Sequence, residues 1–125
     1  MKQNMKAVQE LLAFIRKSPT AYQAVSTVAE MLEEAGYTRL EEGDSWNLIP
    51  GGKYYLTRNL SSVLAFALPE GAPDSFLIAA SHSDSPTFKL KDNYLSPAFG
   101  KYVRFNTERY GGMLLSTWFD RQLSV

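Results

Sequence analysis

The residues most able to do chemistry stand together in Ser81-His82-Ser83-Asp84-Ser85-Pro86. His82 is the one histidine of the chain, and the chain has no cysteine, so thiolate metal ligands are excluded and this is the one imidazole available. Imidazole is a good zinc ligand, and zinc peptidase sites combine histidine with carboxylates. Asp84 lies two residues on, so in an extended backbone the two side chains share one side, with their Cα atoms about 7 Å apart. A carboxylate there can hold the ring in one tautomer while the other ring nitrogen faces a metal. The same two residues also read as a hydrogen-bonded surface pair without any ligand, and residue types alone leave both readings open. A serine–histidine–aspartate triad is disfavoured, because adjacent Ser81 and His82 point to opposite faces of an extended chain.

Something must position that cluster. Ser75-Phe76-Leu77-Ile78-Ala79-Ala80 is a continuous apolar run, as expected of a central strand covered on both faces, and the polar cluster follows it directly. Open α/β sheets bind ligands just past the carboxyl ends of such strands. Upstream, Val8, Leu11, Leu12 and Ile15 recur at helical spacing, and Val25, Val28, Ala29 and Leu32 mark a second helix. Both stripes are expected to be core packing. Ser18 is the expected cap of the second helix with Pro19 in its first turn, and Gly36 its C′ residue. Tyr37–Leu40 is expected as a short strand, with Trp46–Ile49 a pairing segment before Pro50-Gly51-Gly52. Lys53–Thr57 and Val63–Leu68 are expected as a hairpin. Further on, Thr87–Lys91 reads as a strand, Asp92-Asn93 as a turn, and Tyr102–Asn106 and Met113–Trp118 as strands around Gly111-Gly112. These last strands are expected to expose Phe105, Leu114, Trp118 and Phe119. The apolar pattern running into Val125 reads as a truncation.

Composition narrows the function classes. Hydrophobic residues make up 45% of the 125-residue chain, enough for a core and too many for disorder. Thirteen basic residues balance thirteen acidic ones, which gives no footprint for nucleic acid. The absence of cysteine fits a reducing compartment. No stretch reads as a signal peptide or is long enough to span a bilayer, so a soluble, cytoplasmic protein with no membrane partner is expected.

Three stretches carry a family resemblance. Ala79-Ala80-Ser81-His82-Ser83-Asp84-Ser85-Pro86 resembles the first metal-binding motif of the aspartyl aminopeptidase and vacuolar aminopeptidase I family. Ser18-Pro19-Thr20-Ala21-Tyr22-Gln23-Ala24-Val25 is similar to its N-terminal Ser-Pro signature, and Tyr110-Gly111-Gly112 through Trp118-Phe119-Asp120-Arg121 to its Gly-Gly…Ser-Thr-Trp-Phe-Asp-Arg stretch, in a bacterial style. Gln23 and Gln122 depart from a histidine and a proline expected in near relatives. The resemblance implies an α/β fold, the N-terminal part of a three-layer α/β/α zinc-peptidase domain over 1–100. It implies that residues 101–125 begin an inserted β-rich subunit-contact domain. It further implies an exopeptidase with two zinc ions, acting on peptides with a free N-terminus and self-associating through that insert. His82 matches the first zinc-binding histidine, and Asp84 the catalytic-motif aspartate that orients the metal centre. The remaining ligands and the general base match nothing in this chain, which is therefore expected to be inactive alone. Asp120 reads as structural. The rival expectation is a non-enzymatic binding or assembly module in which His82 and Asp84 are a structural pair. An acyl-transfer hydrolase ranks last, because no nucleophile elbow occurs.

Overall fold

The computed structural model describes residues 2–125, which fall into two compact units, Met1–Asp84 and Ser85–Val125. The first unit opens with α1 (Lys2–Lys17) and α2 (Ala21–Glu34). Ser18 is not the cap. Thr20 holds the extended cap conformation, and its hydroxyl accepts from the Gln23 backbone N–H at 3.5 Å. Thr20-Ala21-Tyr22-Gln23 has the spacing of a capping box, a stronger start signal than Ser18-Pro19. The Ser18 hydroxyl instead donates to Thr27 Oγ1 at 3.4 Å. The helix ends as expected at Gly36, whose φ of +80° is left-handed. Gly36 N–H donates to Glu33 O at 3.0 Å and Tyr37 N–H to Leu32 O at 2.9 Å, the paired closure of a Schellman motif.

Three strands complete this unit: β1 (Thr38–Arg39), β2 (Lys53–Arg58) and β3 (Ser62–Ala67), in the order β1-β2-β3. β1 runs parallel to β2 and β3 antiparallel to it, so the sheet is mixed. The core sits on β2, where Tyr54, Tyr55 and Leu56 are all buried. Consecutive strand residues face opposite ways, so three buried in a row require cover on both sides. α2 supplies one cover. Val25 is buried on that helix, and Tyr55 donates its hydroxyl to Glu33 Oε1 at 2.5 Å. The segment around Trp46–Ile49 supplies the other, by packing rather than by strand pairing. Ile49 N–H donates to the Tyr54 hydroxyl at 2.9 Å, Trp46 Nε1–H to Glu41 O at 2.8 Å, and the Tyr54 and Phe66 rings lie 5.6 Å apart. The β2–β3 turn places both Asn59 and Leu60 at positive φ, 51° and 57°. A leucine there costs about 1–2 kcal/mol where glycine would cost almost nothing.

Two expectations about burial fail in this unit. The α1 stripe of Val8, Leu11, Leu12 and Ile15 is exposed, because α2 is the partner that α1 packs on and the other described residues do not cover the stripe. The run Ser75–Ala80 is not a buried central strand. It has no strand assignment, and Phe76, Leu77 and Ile78 are 86%, 102% and 82% exposed. A strand exists through its neighbours' hydrogen bonds, and no described residue offers that edge.

The second unit is a long hairpin, β4 (Thr87–Ala98) and β5 (Tyr102–Tyr110), followed by the 3-10 helix η1 (Leu115–Trp118). Asp92-Asn93 is not the turn. The register shifts between Leu90 and Leu95, which takes both residues into an irregularity of β4, and the chain reverses at Phe99-Gly100, φ 50° and 69°. Met113–Trp118 is likewise not a strand. Thr117 N–H and Oγ1 both bond to Leu114 O, at 3.2 and 2.8 Å, closing a helical turn. Trp118 is half-buried rather than exposed, with its ring edge-on to Phe88 at 5.5 Å. Gly111 has φ +77° and lies so close to the chain that an added Cβ would stand 3.3 Å from Pro86 Cα.

Candidate metal centre

His82 and Asp84 close the first unit in a segment without regular structure, bent at Ser83. The Ser83 hydroxyl donates to Ser61 O at 2.7 Å, tying this segment to the β2–β3 turn. The bend does more than put two side chains on one side. It brings the His82 Nδ1 within 2.8 Å of the Asp84 carbonyl oxygen and 3.1 Å of Asp84 Oδ1. A carbonyl oxygen can only accept, so Nδ1 must carry a proton. In the neutral ring, Nε2 then holds the lone pair. The His82 side chain is 77% exposed, so Nε2 is open to a ligand. Asp84 is half-buried, and its carboxylate braces the ring from one side.

This is the hydrogen bonding that a metal-binding imidazole needs from its surroundings. Zinc sites take three or four protein ligands, however, and among the described residues no three histidine, aspartate or glutamate side chains converge. The donor set fits one ligand of a zinc site and not a whole one. Asp120 belongs to the second unit, where it follows η1 at a left-handed φ of 56°.

The shifted titratable groups stand elsewhere in the first unit. The hydrogen bond to Glu33 raises the Tyr55 phenol above its ordinary value, with burial and the Glu33 charge adding to it. The Arg58 guanidinium holds the Glu42 carboxyl below its usual range through a charge-assisted hydrogen bond. Both groups are structural. The Ser83–Ser61 tether and the part played by the Asp84 carbonyl were not visible in the sequence, since backbone acceptors leave no residue signature.

Comparison with known proteins matches the chain to a family. Residues 14–125 match the model of the aminopeptidase I zinc metalloproteases, M18. The chain is 45% identical over 127 aligned residues to the probable M18 family aminopeptidase 2 of Clostridium novyi, covering 100% of this chain and 29% of that protein. The chain thus spans under a third of the length of such relatives. Its fold matches Chaetomium thermophilum mApe1 with a TM-score of 0.80 and 38% identity, over 90% of this chain and 26% of that one. It matches the S. cerevisiae mApe1 dodecamer with a TM-score of 0.74 and 34% identity, over 90% of this chain and 27% of that one. The α/β class agrees with these structures, and α2, the mixed sheet and the His82 segment all lie within residues 14–125, the span that the family model matches. By sequence and by fold, this chain belongs to the aminopeptidase I zinc metalloprotease family, M18.

Proposed function

We propose that this chain supplies the first metal-binding histidine of a zinc-dependent aminopeptidase that removes N-terminal residues from peptides. The observation that carries this reading is the His82 ring itself, held by Asp84 through Nδ1 with Nε2 presented outward. In this reading His82 Nε2 is the ligand atom. Asp84 keeps the proton on Nδ1 and fixes the plane of the ring. When bound, zinc supplies Lewis-acid assistance to peptide-bond hydrolysis, and two ions are expected in the complete enzyme. The further ligands, the general base and the pocket for the substrate's free amine lie in sequence that this chain does not match. That is why the chain alone is proposed to be inactive.

The rest of the reading follows from the same family membership. The exposed run at residues 75–80 becomes a covered central strand once the remainder of the three-layer domain is present. Residues from 101 onward begin a β-rich region of subunit contact, and the chain self-associates. No described helix is long and apolar enough to cross a membrane. The proposed setting is the cytoplasm.

The test is made in a full-length enzyme carrying this sequence. His82→Ala is expected to abolish chelator-sensitive hydrolysis of peptides and to lower bound zinc. Asp84→Asn is expected to lower kcat with less effect on zinc content. Full activity in His82→Ala would remove the histidine from the metal centre.

A further inference from the structure

His82 is braced from within its own segment. Its Nδ1 reaches the carbonyl oxygen and the carboxylate of Asp84, two residues on. Contacts this local fix the ring relative to its own stretch of chain. They cannot set where that stretch lies against the sheet, and residues 75–84 belong to no strand or helix that would.

The Ser83 hydroxyl, between the two, reaches out of the segment. It donates to Ser61 O at 2.7 Å, across 22 residues of chain. That acceptor is firmly held. Ser61 closes the β2–β3 turn, with its N–H donating to Arg58 O at 3.2 Å. Arg58 pairs with Ser62 at the end of the ladder, so Ser61 and its carbonyl lie just outside it. Arg58 is tied in turn to Glu42, Nε donating to Oε2 at 3.0 Å. At the other end of the same hairpin, β2 carries the buried Tyr54, Tyr55 and Leu56. The turn is also strained. Asparagine tolerates the left-handed region, but Leu60 is held there too, at φ 57°. Such conformations persist where their surroundings over-determine them, and they gather at functional sites. The residue directly after Leu60 is the one that receives the Ser83 hydroxyl.

We propose that Ser83 is a positioning residue, whose hydroxyl, seated on the Ser61 carbonyl that the β2–β3 turn presents, fixes where the His82–Asp84 pair stands against the sheet. This rests on the proposed role of His82 as a zinc ligand and names the group that sets the ligand's place. Ser83 acts through His82. Asp84 sets the tautomer of the ring and Ser83 its position, so the two are separable by experiment.

The test compares Ser83→Ala, which removes the hydroxyl, with Ser83→Thr, which keeps it. In the 125-residue chain, proton–nitrogen heteronuclear NOE values at the backbone of residues 82–84 are expected to fall in Ser83→Ala and to return in Ser83→Thr. Nδ1 of the neutral His82 ring should stay protonated in both, because Asp84 is untouched. In a full-length enzyme carrying this sequence, Ser83→Ala is expected to weaken zinc binding, measured by chelator competition, on the order of fivefold. It should lower kcat by a similar factor while KM stays within about twofold, since the interaction lost is with the metal ligand and not with the substrate. Ser83→Thr should recover both. Wild-type backbone order and zinc affinity in Ser83→Ala would overturn the positioning role. Equal losses in Ser83→Ala and Ser83→Thr would overturn it too, because the hydroxyl would then not be the cause. His82→Ala in the same zinc assay separates this role from the reading it rests on. Zinc lost in His82→Ala but held in Ser83→Ala would sink the positioning role alone, whereas full zinc binding in His82→Ala would sink both.

Discussion

At the scale of the residue, His82 and Asp84 behave as one unit because a single bend gives the imidazole two acceptors from one aspartate. The carbonyl fixes the tautomer, and the carboxylate adds charge to the same hydrogen bond. Long-range proton–nitrogen correlation spectra of the neutral ring are expected to show Nδ1 protonated and Nε2 bare. Asp84→Ala should relax that preference without abolishing it, because the carbonyl remains. A ring protonated at Nε2 in the wild type would refute the tautomer argument. Much of this was legible, since a histidine and an aspartate two apart can share a side of an extended chain. What sequence could not give was the bend at Ser83 and its tether to Ser61. Tyr55 is the other residue whose surroundings set its chemistry. Its folded phenol titrates above the unfolded value of 10.0, chiefly through the hydrogen bond to Glu33. A raised value means that this bond contributes fully below the unfolded pKa, and that the contribution is lost as pH rises through the folded one. Chemical denaturation at rising pH should therefore show an alkaline loss of stability that Tyr55→Phe and Glu33→Gln both reduce.

At the scale of the element, legibility followed the range of the interactions. The two helices and the β2–β3 hairpin close on themselves through contacts near in sequence, so period and turn residues located them. β4 misled because Asp92-Asn93 has turn chemistry, yet a register shift absorbs it and the reversal falls at Phe99-Gly100. Met113–Trp118 has strand-like composition, but a 3-10 turn sets Leu115 and Trp118 three apart on one side, both half-buried. The run at 75–80 misled in a different way. Its composition reports cover on both faces, and the described residues supply none. The energetic consequence separates the two kinds of apolar segment. Leu56→Ala, inside the β2 core, is expected to cost about 2–4 kcal/mol in denaturant unfolding of this chain. Ile78→Ala, at 82% exposure, is expected to fall within about 0.5 kcal/mol of wild type. A large loss at Ile78 would mean that the run is packed after all.

At the scale of the whole molecule, the chain combines a well-oriented imidazole with no converging set of ligand side chains among its described residues. Its relatives are more than three times as long, and the chain covers 29% of the Clostridium novyi protein. Hydrolysis at a metal pair needs several protein ligands, an open coordination position and a base within reach of the attacking water. Among the described residues no three candidate ligands meet, so a single imidazole nitrogen must compete with water for the metal almost unaided. Binding of zinc to this chain should accordingly be weak, perturb the His82 ring resonances and disappear in His82→Ala. Peptides with N-terminal aspartyl, glutamyl or leucyl residues are expected to survive prolonged incubation with the purified chain, whether zinc, manganese or cobalt is added. Turnover by the 125-residue chain that is lost in His82→Ala would show that the missing ligands come from its own carboxylates. Asp84 and Asp120 would then be the first to replace, by asparagine, to find which of them handles the proton.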